Sequence, residues 1–135
     1  MNNQLDAIRD TFLKYAEAFN LLDPTKVEPF FQVPSIMMSS DLVMVMNESN
    51  EVIGLFTALM DKLRHDNFKE SKILSLQVSQ LSDNQGLVVG VAKRFNQADE
   101  EIEHFGFTYT MRKAEGDWKI IAGVLHEPQT LSNSK

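Results

Sequence analysis

The sequence has no cysteine among its 135 residues. Disulfides, thiolate catalysis and zinc sites built on cysteine are therefore excluded, and the composition suits a reducing compartment. The sequence also lacks a basic N-terminal region followed by an apolar segment, and no apolar run approaches the roughly 18 residues of a membrane span. We therefore expect a cytoplasmic protein without a membrane segment.

Positive charge is also scarce. The 13 Lys and Arg residues are scattered along the chain, and the formal net charge is −6. Proteins bind phosphate backbones and anionic lipid surfaces through clustered positive charge, which this chain does not offer. We expect no nucleic-acid partner and no membrane partner.

The sequence has no recognisable metal motif. Its three histidines lie on different predicted elements, and none shows the i, i+4 spacing with a carboxylate that helical zinc sites use. The acidic run at 99–101 lacks the alternating ligands and the glycine of a calcium loop. We expect no metal and no cofactor.

What is present fits one globular domain. With 43% apolar residues, a chain of this length can bury a single core. No internal repeat or low-complexity linker divides it. We predict one domain over residues 1–128 and a disordered tail over 129–135.

Two long amphipathic helices are predicted in the first half of the chain. Residues 4–20 carry apolar side chains at three- and four-residue spacing, which indicates one buried stripe: Leu5, Ile8, Phe12, Tyr15, Ala16 and Phe19. A second helix, capped by Ser49 or Asn50, has an inner face of Val52, Phe56, Leu59, Met60 and Leu63. Between them, Asp23 caps a short helix that starts at Pro24 and that Pro34 ends.

Strand patterns dominate the rest of the chain. IMMS and LVMVM form two short strands separated by Ser40 and Asp41, and SKILSLQVSQLS begins a run of four longer strands. Turns are predicted at SDNQG, NQADEE and AEGD. Helices that come early and strands that come late predict an α+β fold, with helices packed on one face of a curved antiparallel sheet.

The last two strands form a hairpin whose register follows from its turn. A two-residue loop at Glu115 and Gly116 gives these pairs: Lys113 with Trp118, Met111 with Ile120, Tyr109 with Ala122, Phe107 with Val124, and Phe105 with His126. Apart from Lys113, these residues make up the predicted inner face. The opposite face is half apolar, which predicts a homodimer whose second subunit covers Thr108, Thr110, Ile121 and Leu125.

The side of the sheet on which Arg94 lies stays open at this level. A two-residue loop at Asp99 and Glu100 turns Ala92 and Arg94 inward, whereas a slip of one residue turns Phe95 inward instead. Burial favours Phe95, but strands that line a cavity often place small residues such as Ala92 toward it. The sequence is compatible with both arrangements.

Several segments carry a resemblance to a known superfamily: YAEAFNLLDPTKVEPFF, EVIGLFTALMDKL and FTYTMRKAEGDWKII. The chain resembles the nuclear transport factor 2-like (NTF2-like) superfamily, which includes ketosteroid isomerase and the SnoaL-type polyketide cyclases. FFQVPSIMMSS, LMDKLR and LVVGVAKRF are similar to an uncharacterised branch of it. The resemblance implies a cystatin-like, cone-shaped α+β fold with the N-terminal helices on the concave face of the sheet. It also implies a deep pocket there and frequent dimerisation through the convex face.

The comparison with ketosteroid isomerase implies candidate catalytic residues. Tyr15 in YAEAFN matches the tyrosine donor of that family, and an ungapped count puts Tyr109 at its second oxyanion donor. At the position of the general base the count reaches Ser39, and a serine does not accept a proton unaided near neutral pH. Asp41, two residues on, and His126 at the end of the last strand are the candidate bases.

Two functions follow, and binding ranks first because the sequence secures no acid–base pair. In the first, a Met- and Phe-rich pocket binds a small apolar ligand; in the second, an isomerase, cyclase or dehydratase uses two tyrosine donors. A third interpretation is a dimerisation module with a filled core. Since the first helix must bury its stripe on the sheet, we expect the hydroxyls of Tyr15 and Tyr109 to approach each other. The predicted pocket residues are Tyr15, Phe19, Met37, Phe56, Met60, Phe107, Tyr109, Trp118 and Val124.

Overall fold

The computed structural model describes residues 3–128, and the predicted tail at 129–135 lies outside them. The helices are α1 (Asn3–Phe19), α2 (Pro24–Val27), which continues as a 3₁₀ turn (Glu28–Phe30), and α3 (Ser49–His65). The strands are β1 (Phe31–Met38), β2 (Val43–Met46), β3 (Phe68–Ser82), β4 (Gln85–Asn96), β5 (Glu101–Ala114) and β6 (Asp117–His126). The order of the elements is the one that the sequence predicts.

The short helix α2 starts as its sequence dictates and ends earlier than predicted. The side chain of Asp23 accepts a hydrogen bond from the backbone N–H of Thr25 at 2.9 Å, and Pro24 occupies the first helical position. Pro34 does not end this helix, because β1 already begins at Phe31 and continues through the proline.

The long helix α3 starts with a reciprocal cap. Its N-cap is Glu48 rather than the predicted Ser49 or Asn50. Glu48 and Glu51 form a capping box: the side chain of Glu48 accepts from the backbone N–H of Glu51, and the side chain of Glu51 accepts from the backbone N–H of Glu48. A glutamate therefore does here what shorter polar residues usually do.

The six strands form one sheet in the order β2-β1-β6-β5-β4-β3. Neighbours are antiparallel except β1 and β6, which run parallel. The fully antiparallel sheet that the sequence predicts is therefore mixed at this pair. Since no hairpin joins β1 to β6, no tight turn forces them to be antiparallel. Helices packed on one face of a curved sheet make this an α+β fold of the predicted class.

The closing hairpin has the predicted turn but a shifted register beyond its middle. Lys113 pairs with Trp118 and Met111 with Ile120, as a loop at Glu115 and Gly116 requires. From there on the pairs are Thr110 with Ala122, Tyr109 with Gly123, Thr108 with Val124, Phe107 with Leu125 and Gly106 with His126. The predicted partners of Tyr109 and Phe107 were therefore wrong by one residue.

A β-bulge explains this shift. Ile121 is an extra residue of β6 between two consecutive pairs of β5, so every later side chain of β6 changes face. Gly123 now lies under Tyr109, where an added Cβ would come within 2.8 Å of the Tyr109 ring. The glycine thus lets the ring lie directly on the backbone of β6, and Leu125 replaces Val124 on the inner face.

The core lies between α1, α3 and the concave face of the sheet. The stripe predicted for α1 buries Ile8, Phe12, Tyr15 and Phe19, and the predicted inner face of α3 buries Val52, Phe56, Met60 and Leu63. The sheet contributes Val88, Ala92, Phe107, Tyr109, Met111, Trp118 and Ile120. No helix of residues 3–128 is both long and apolar enough to cross a membrane.

The convex face of the sheet carries a stripe of apolar side chains that the helices do not cover. Its members follow from the ladder pairs of β2, β1 and β6: Val45, Ile36 and Ala122 in one row, and Val43, Met38 and Val124 in the next. We call these six residues the convex stripe. Val43 and Val45 are 59% and 55% exposed. The bulge moves Leu125 out of this face and brings Ala122 and Val124 into it.

Candidate functional site

A cavity of about 60 Å³ lies between α1 and the concave face of the sheet. A void that holds a single water needs roughly 10–15 Å³, so this cavity has room for a small chemical group. Its walls, which we call the inner cavity, are formed by Phe12, Tyr15, Ala16, Phe19, Ser71, Ile73, Ala92, Arg94, Phe105, Phe107, Tyr109 and Leu125. Most of this surface is apolar, and the few polar groups stand out against it.

The two tyrosines of the chain meet at this cavity. Their hydroxyl oxygens are 3.3 Å apart, which confirms the expectation that the stripe of α1 brings Tyr15 to Tyr109. Their rings are 5.8 Å apart at 61°, and Phe12 packs its ring against both. Either oxygen can be the donor, and the bond between them uses only one of the two hydroxyl protons. The second proton is available to an acceptor in the cavity.

Burial keeps both phenols neutral. It raises the pKa of Tyr15 well above the usual 10.0, and the neighbouring Tyr109 raises it further. Burial also raises the pKa of Tyr109, while the hydrogen bond with Tyr15 and the nearby Arg94 oppose that rise. Both groups are therefore hydrogen-bond donors at physiological pH and do not act as bases.

Arg94 is the charged group of the inner cavity. The sequence leaves its side open, and the structure turns it inward together with Ala92, with Arg94 only 6% exposed. Its Nη1 donates to Glu103 Oε1 at 2.6 Å. The guanidinium carbon lies 5.3 Å from the ring centre of Phe19 and 4.5 Å from that of Phe105. The cation is thus held between two rings and one carboxylate.

A wider cleft opens beside the inner cavity. This outer cleft has a volume of about 1220 Å³ and lies between the end of α3, the loop after β1, and the ends of β5 and β6. Arg94, Phe105 and Leu125 line both spaces. The guanidinium therefore lies at the boundary between the small inner cavity and the larger outer cleft, whose walls also include charged side chains.

The predicted bases lie in the outer cleft and not beside the phenols. Asp41 is exposed on the loop between β1 and β2. His126 shares a hydrogen bond of 3.0 Å between its Nε2 and Thr108 Oγ1, and Thr108 pairs with Val124 of the convex stripe. His126 was predicted on the inner face, and the bulge moves it away from that face.

The predicted pocket residues divide into wall and core. Of these residues, Tyr15, Phe19, Phe107 and Tyr109 line the inner cavity. The other five lie elsewhere. Phe56 and Met60 of α3 are buried in the core, and Met37 packs against Gly123. The indole N–H of Trp118 donates to Gln4 Oε1 at 3.1 Å, and Val124 lines the outer cleft.

Sequence reasoning missed the contribution of β3 to the wall. Ser71 and Ile73 line the inner cavity, but the alternation of SKILSLQVSQLS does not by itself say which side faces the helices. One available signal was Asn20 at the end of α1. Its amide accepts from the backbone N–H of Ser71 at 3.0 Å and donates to the Ser71 carbonyl at 3.4 Å, which ties the helix to this strand.

Within residues 3–128, no group of three or more His, Asp or Glu side chains is arranged to hold a metal ion.

Comparisons with known proteins place this geometry in a family. The profile of the family described as NTF2-like protein (DUF6841) matches residues 5–128. Among curated proteins, none matches the chain.

Solved structures share the fold at low sequence identity. An NTF2-like protein with a cystatin-like fold from Novosphingobium aromaticivorans has a TM-score of 0.77 at 9% identity, over 94% of this chain and 83% of that one. A ketosteroid isomerase-like protein from Erwinia carotovora atroseptica has a TM-score of 0.68 at 16% identity, over 96% of this chain and 100% of that one. A protein of the NTF2-like family from Streptomyces avermitilis, provisionally assigned as a dehydratase, has a TM-score of 0.74 at 12% identity, over 95% and 98% of the two chains.

Proposed function

The chain belongs to the NTF2-like family DUF6841, and from this premise we propose that its inner cavity binds a small, largely apolar ligand. The observation that carries the proposal is the buried pair of Tyr15 and Tyr109, whose hydroxyls lie 3.3 Å apart on the wall of a void. Buried hydroxyl protons require acceptors. A ligand with an oxygen acceptor and an apolar body supplies what this wall lacks.

The surroundings of the phenols support an apolar body for the ligand. Phe12 and Phe107 stack with ring centres 5.2 Å apart, and both line the void. An apolar group that enters the void is removed from water and makes van der Waals contacts with these rings, and both changes favour binding. A filled-core module, the third interpretation from the sequence, would leave no such space.

An isomerase, cyclase or dehydratase is the second candidate function. Two neutral phenols side by side are suitable donors to an oxyanion that develops on a carbonyl substrate. The names of the Erwinia and Streptomyces proteins, ketosteroid isomerase-like and dehydratase, point in the same direction. The reaction also needs a base, and no carboxylate or histidine of residues 3–128 lines the inner cavity. Binding is therefore the better-supported function.

The two functions differ in one measurable reaction. We expect the protein to leave a β,γ-unsaturated cyclic ketone unchanged, because neither Asp41 nor His126 lines the inner cavity with the phenols. The measurement is the absorbance of the conjugated product over time, with Asp41→Asn and His126→Gln as variants. A rate above that of buffer that either variant abolishes would establish the enzyme and remove binding as the principal function.

The binding function is tested by filling the void. Ala16 lines the inner cavity on α1, and the next residue, Glu17, is exposed on the same helix. Ala16→Leu places a larger side chain into the cavity, and Glu17→Leu adds the same side chain outside it. We expect 4-phenylbutan-2-one, an apolar ketone, to bind the wild type and Glu17→Leu in calorimetric titration, but not Ala16→Leu. Equal binding by all three proteins would show that the ligand site lies elsewhere.

A homodimer formed through the convex stripe belongs to the same proposal. The six residues of the stripe carry no charge and form two continuous rows, and an identical surface on a second copy matches them in size and polarity. Val124→Lys should give monomers in analytical sedimentation, whereas Lys14→Glu on the exposed side of α1 should not. A wild-type chain that sediments as a monomer at micromolar concentration would end this part of the proposal.

A cytoplasmic location is also proposed, because a cysteine-free chain suits a reducing compartment.

A further inference from the structure

Arg94 has a hydrogen-bonding atom that the protein leaves unused. Its Nε is buried and has no hydrogen-bond partner among residues 3–128, while Nη1 donates to Glu103. A guanidinium presents several N–H groups in a fixed plane, so a single carboxylate on one nitrogen leaves the others to be satisfied separately. The unused N–H belongs to a side chain that lines the inner cavity.

A second unused donor lies next to it. Within the part of the chain that the structure describes, Ser71 Oγ is also buried without a hydrogen-bond partner, and Ser71 lines the same cavity. Ser71 and Arg94 are directly paired residues of β3 and β4, so their side chains emerge side by side on one face of the sheet. Asn20 engages only the backbone of Ser71 and leaves the hydroxyl unbonded.

These groups point to one kind of ligand chemistry. The N–H of Arg94 and the hydroxyls of Ser71 and the tyrosine pair are all donors, and one of them carries a full positive charge. Their complement is an anionic group with more than one acceptor oxygen, for which a carboxylate is the usual partner of a guanidinium. From this arrangement we infer that the inner cavity takes a small apolar carboxylate, whose two oxygens are held by Arg94 and Ser71.

Glu103 then acts as a replaceable counter-ion. The Arg94 side chain is 7% exposed, whereas that of Glu103 is 47% exposed, so the carboxylate of the pair already reaches solvent. When the ligand is absent, Glu103 neutralises the buried cation; when it binds, the ligand carboxylate shares or takes over this task. Removal of Glu103 should therefore favour an anionic ligand.

The size of the two spaces limits the ligand. The inner cavity of about 60 Å³ is smaller than the cavity of about 150 Å³ that binds benzene, so it takes the carboxylate and a short apolar chain rather than a ring. A longer body would extend through the boundary at Arg94, Phe105 and Leu125 into the outer cleft. A carboxylate such as 3-phenylpropanoate is a suitable probe, and 3-phenylpropanamide is its neutral counterpart of nearly the same shape.

The inference rests on the proposed binding function, and the experiment separates the two. Calorimetric titration of the full chain with the acid and with the amide should show the acid binding about tenfold more tightly, as expected of a charge-assisted hydrogen bond. If the amide binds as well as the acid, the carboxylate inference fails and the binding function stands. If neither binds but 4-phenylbutan-2-one does, only the carboxylate inference fails; if none of the three binds, both fail.

Three variants assign the preference to the guanidinium. Glu103→Gln should tighten binding of the acid about fivefold and leave the amide unchanged, because the buried cation loses its internal partner. Arg94→Gln should abolish the preference for the acid. Glu101→Gln breaks the neighbouring ion pair of Glu101 with Lys93, at 2.8 Å, and is the matched control that should change nothing.

If Arg94→Gln does not fold, Glu103→Gln still tests the inference, because it is expected to increase the affinity for the acid rather than to reduce it. Glu103 is half exposed, so Glu103→Gln leaves the core intact. A weaker or unchanged affinity of Glu103→Gln for the acid would overturn the inference, and so would an equal gain for Glu101→Gln.

Discussion

Both faces of the sheet carry apolar side chains, yet the two apolar surfaces are built for different contacts. The concave face is covered by α1 and α3 and still leaves a void with unused donors at Ser71 and Arg94. Within residues 3–128, no helix covers the convex stripe, whose uncharged residues form two parallel rows. Apolar surface by itself therefore does not identify a ligand site. What distinguishes the concave face is the presence of buried polar atoms without hydrogen-bond partners beside a cavity.

The largest expected difference between the faces is in stability. Phe56 is 1% exposed, and its ring lies 5.3 Å from that of Phe31 and 6.4 Å from that of Tyr15. Phe56→Ala should lower the free energy of unfolding by about 3–5 kcal/mol, because it removes a fully packed ring. Val45→Ala, at a site 55% exposed on the convex stripe, should cost less than about 1 kcal/mol in the monomer. Urea unfolding measures both.

Equal losses for the two variants would contradict the division of the sheet into a covered and an uncovered face. A large loss for Val45→Ala that disappears on dilution would instead show that a second copy covers the stripe.

The bulge in β6 gives the next prediction. At Gly123 an added Cβ would come within 2.5 Å of the Met37 sulfur and 2.8 Å of the Tyr109 ring. Gly123→Ala should therefore destabilise the protein by about 1–3 kcal/mol through overpacking. Gly54, exposed in α3 with nothing within 4 Å of an added Cβ, is the matched control. Gly54→Ala should stabilise by about 0.5–1 kcal/mol.

Thermal unfolding of the two alanine variants decides the matter. If Gly123→Ala is as stable as the wild type, the ring of Tyr109 does not lie against Gly123 of β6, and Tyr109 does not form the wall of the inner cavity in the way described above.

The neutral phenols make the stability depend on pH in the alkaline range. The folded-state pKa of both tyrosines is raised above 10.0, so above this pH the unfolded chain releases protons that the folded chain retains. The free energy of unfolding should then fall as the pH rises, by up to about 1.4 kcal/mol per pH unit for each tyrosine. Below pH 10.0 the contribution is fully present.

The measurement is denaturant unfolding across this pH range, with Tyr15→Phe and Tyr109→Phe as comparisons. Each variant should show a smaller slope than the wild type. An unchanged slope in both variants, or phenolate absorbance that appears before the fold is lost, would show that the pair is not buried and neutral.

The smallest effect concerns one hydroxyl. Tyr15→Phe should weaken the binding of 4-phenylbutan-2-one by about 0.5–1.5 kcal/mol, the usual contribution of a neutral hydrogen bond. Thr108→Val removes a hydroxyl whose partner is His126, away from the inner cavity, and should leave the affinity unchanged. The two variants are compared by calorimetric titration. The same loss in both would mean that the phenol does not contact the ligand.

The fold was predictable from the sequence where a short segment by itself determines the local structure, and three segments of this chain do so. The stripe from Ile8 to Phe19 needs a partner, and the aromatic strand with Tyr109 is a large apolar surface that supplies it. The meeting of Tyr15 and Tyr109 follows from that requirement alone. Asp23 with Pro24, and Glu115 with Gly116, likewise contain their own turn geometry.

The parts that could not be predicted depend on single-residue shifts. The bulge at Ile121 leaves no strong mark, although Gly123 in a strand is a sign of close backbone approach. The direction of Arg94 depends on the length of the loop after Asn96, which the sequence leaves ambiguous by one residue. Because side chains alternate across a strand, one residue decides whether a cation lies in the cavity or in solvent. The charged part of the site was therefore beyond sequence reasoning.

The most direct test of the ligand site is a high-resolution crystal structure of the wild-type protein grown with 3-phenylpropanoate. We expect density between α1 and the sheet, with the carboxylate within hydrogen-bonding distance of Arg94 Nε and Ser71 Oγ and the ring extending past Phe105 and Leu125 into the outer cleft. A structure in which Tyr15 and Phe107 close on each other with no void between them, and the ligand is absent or bound elsewhere, would contradict it.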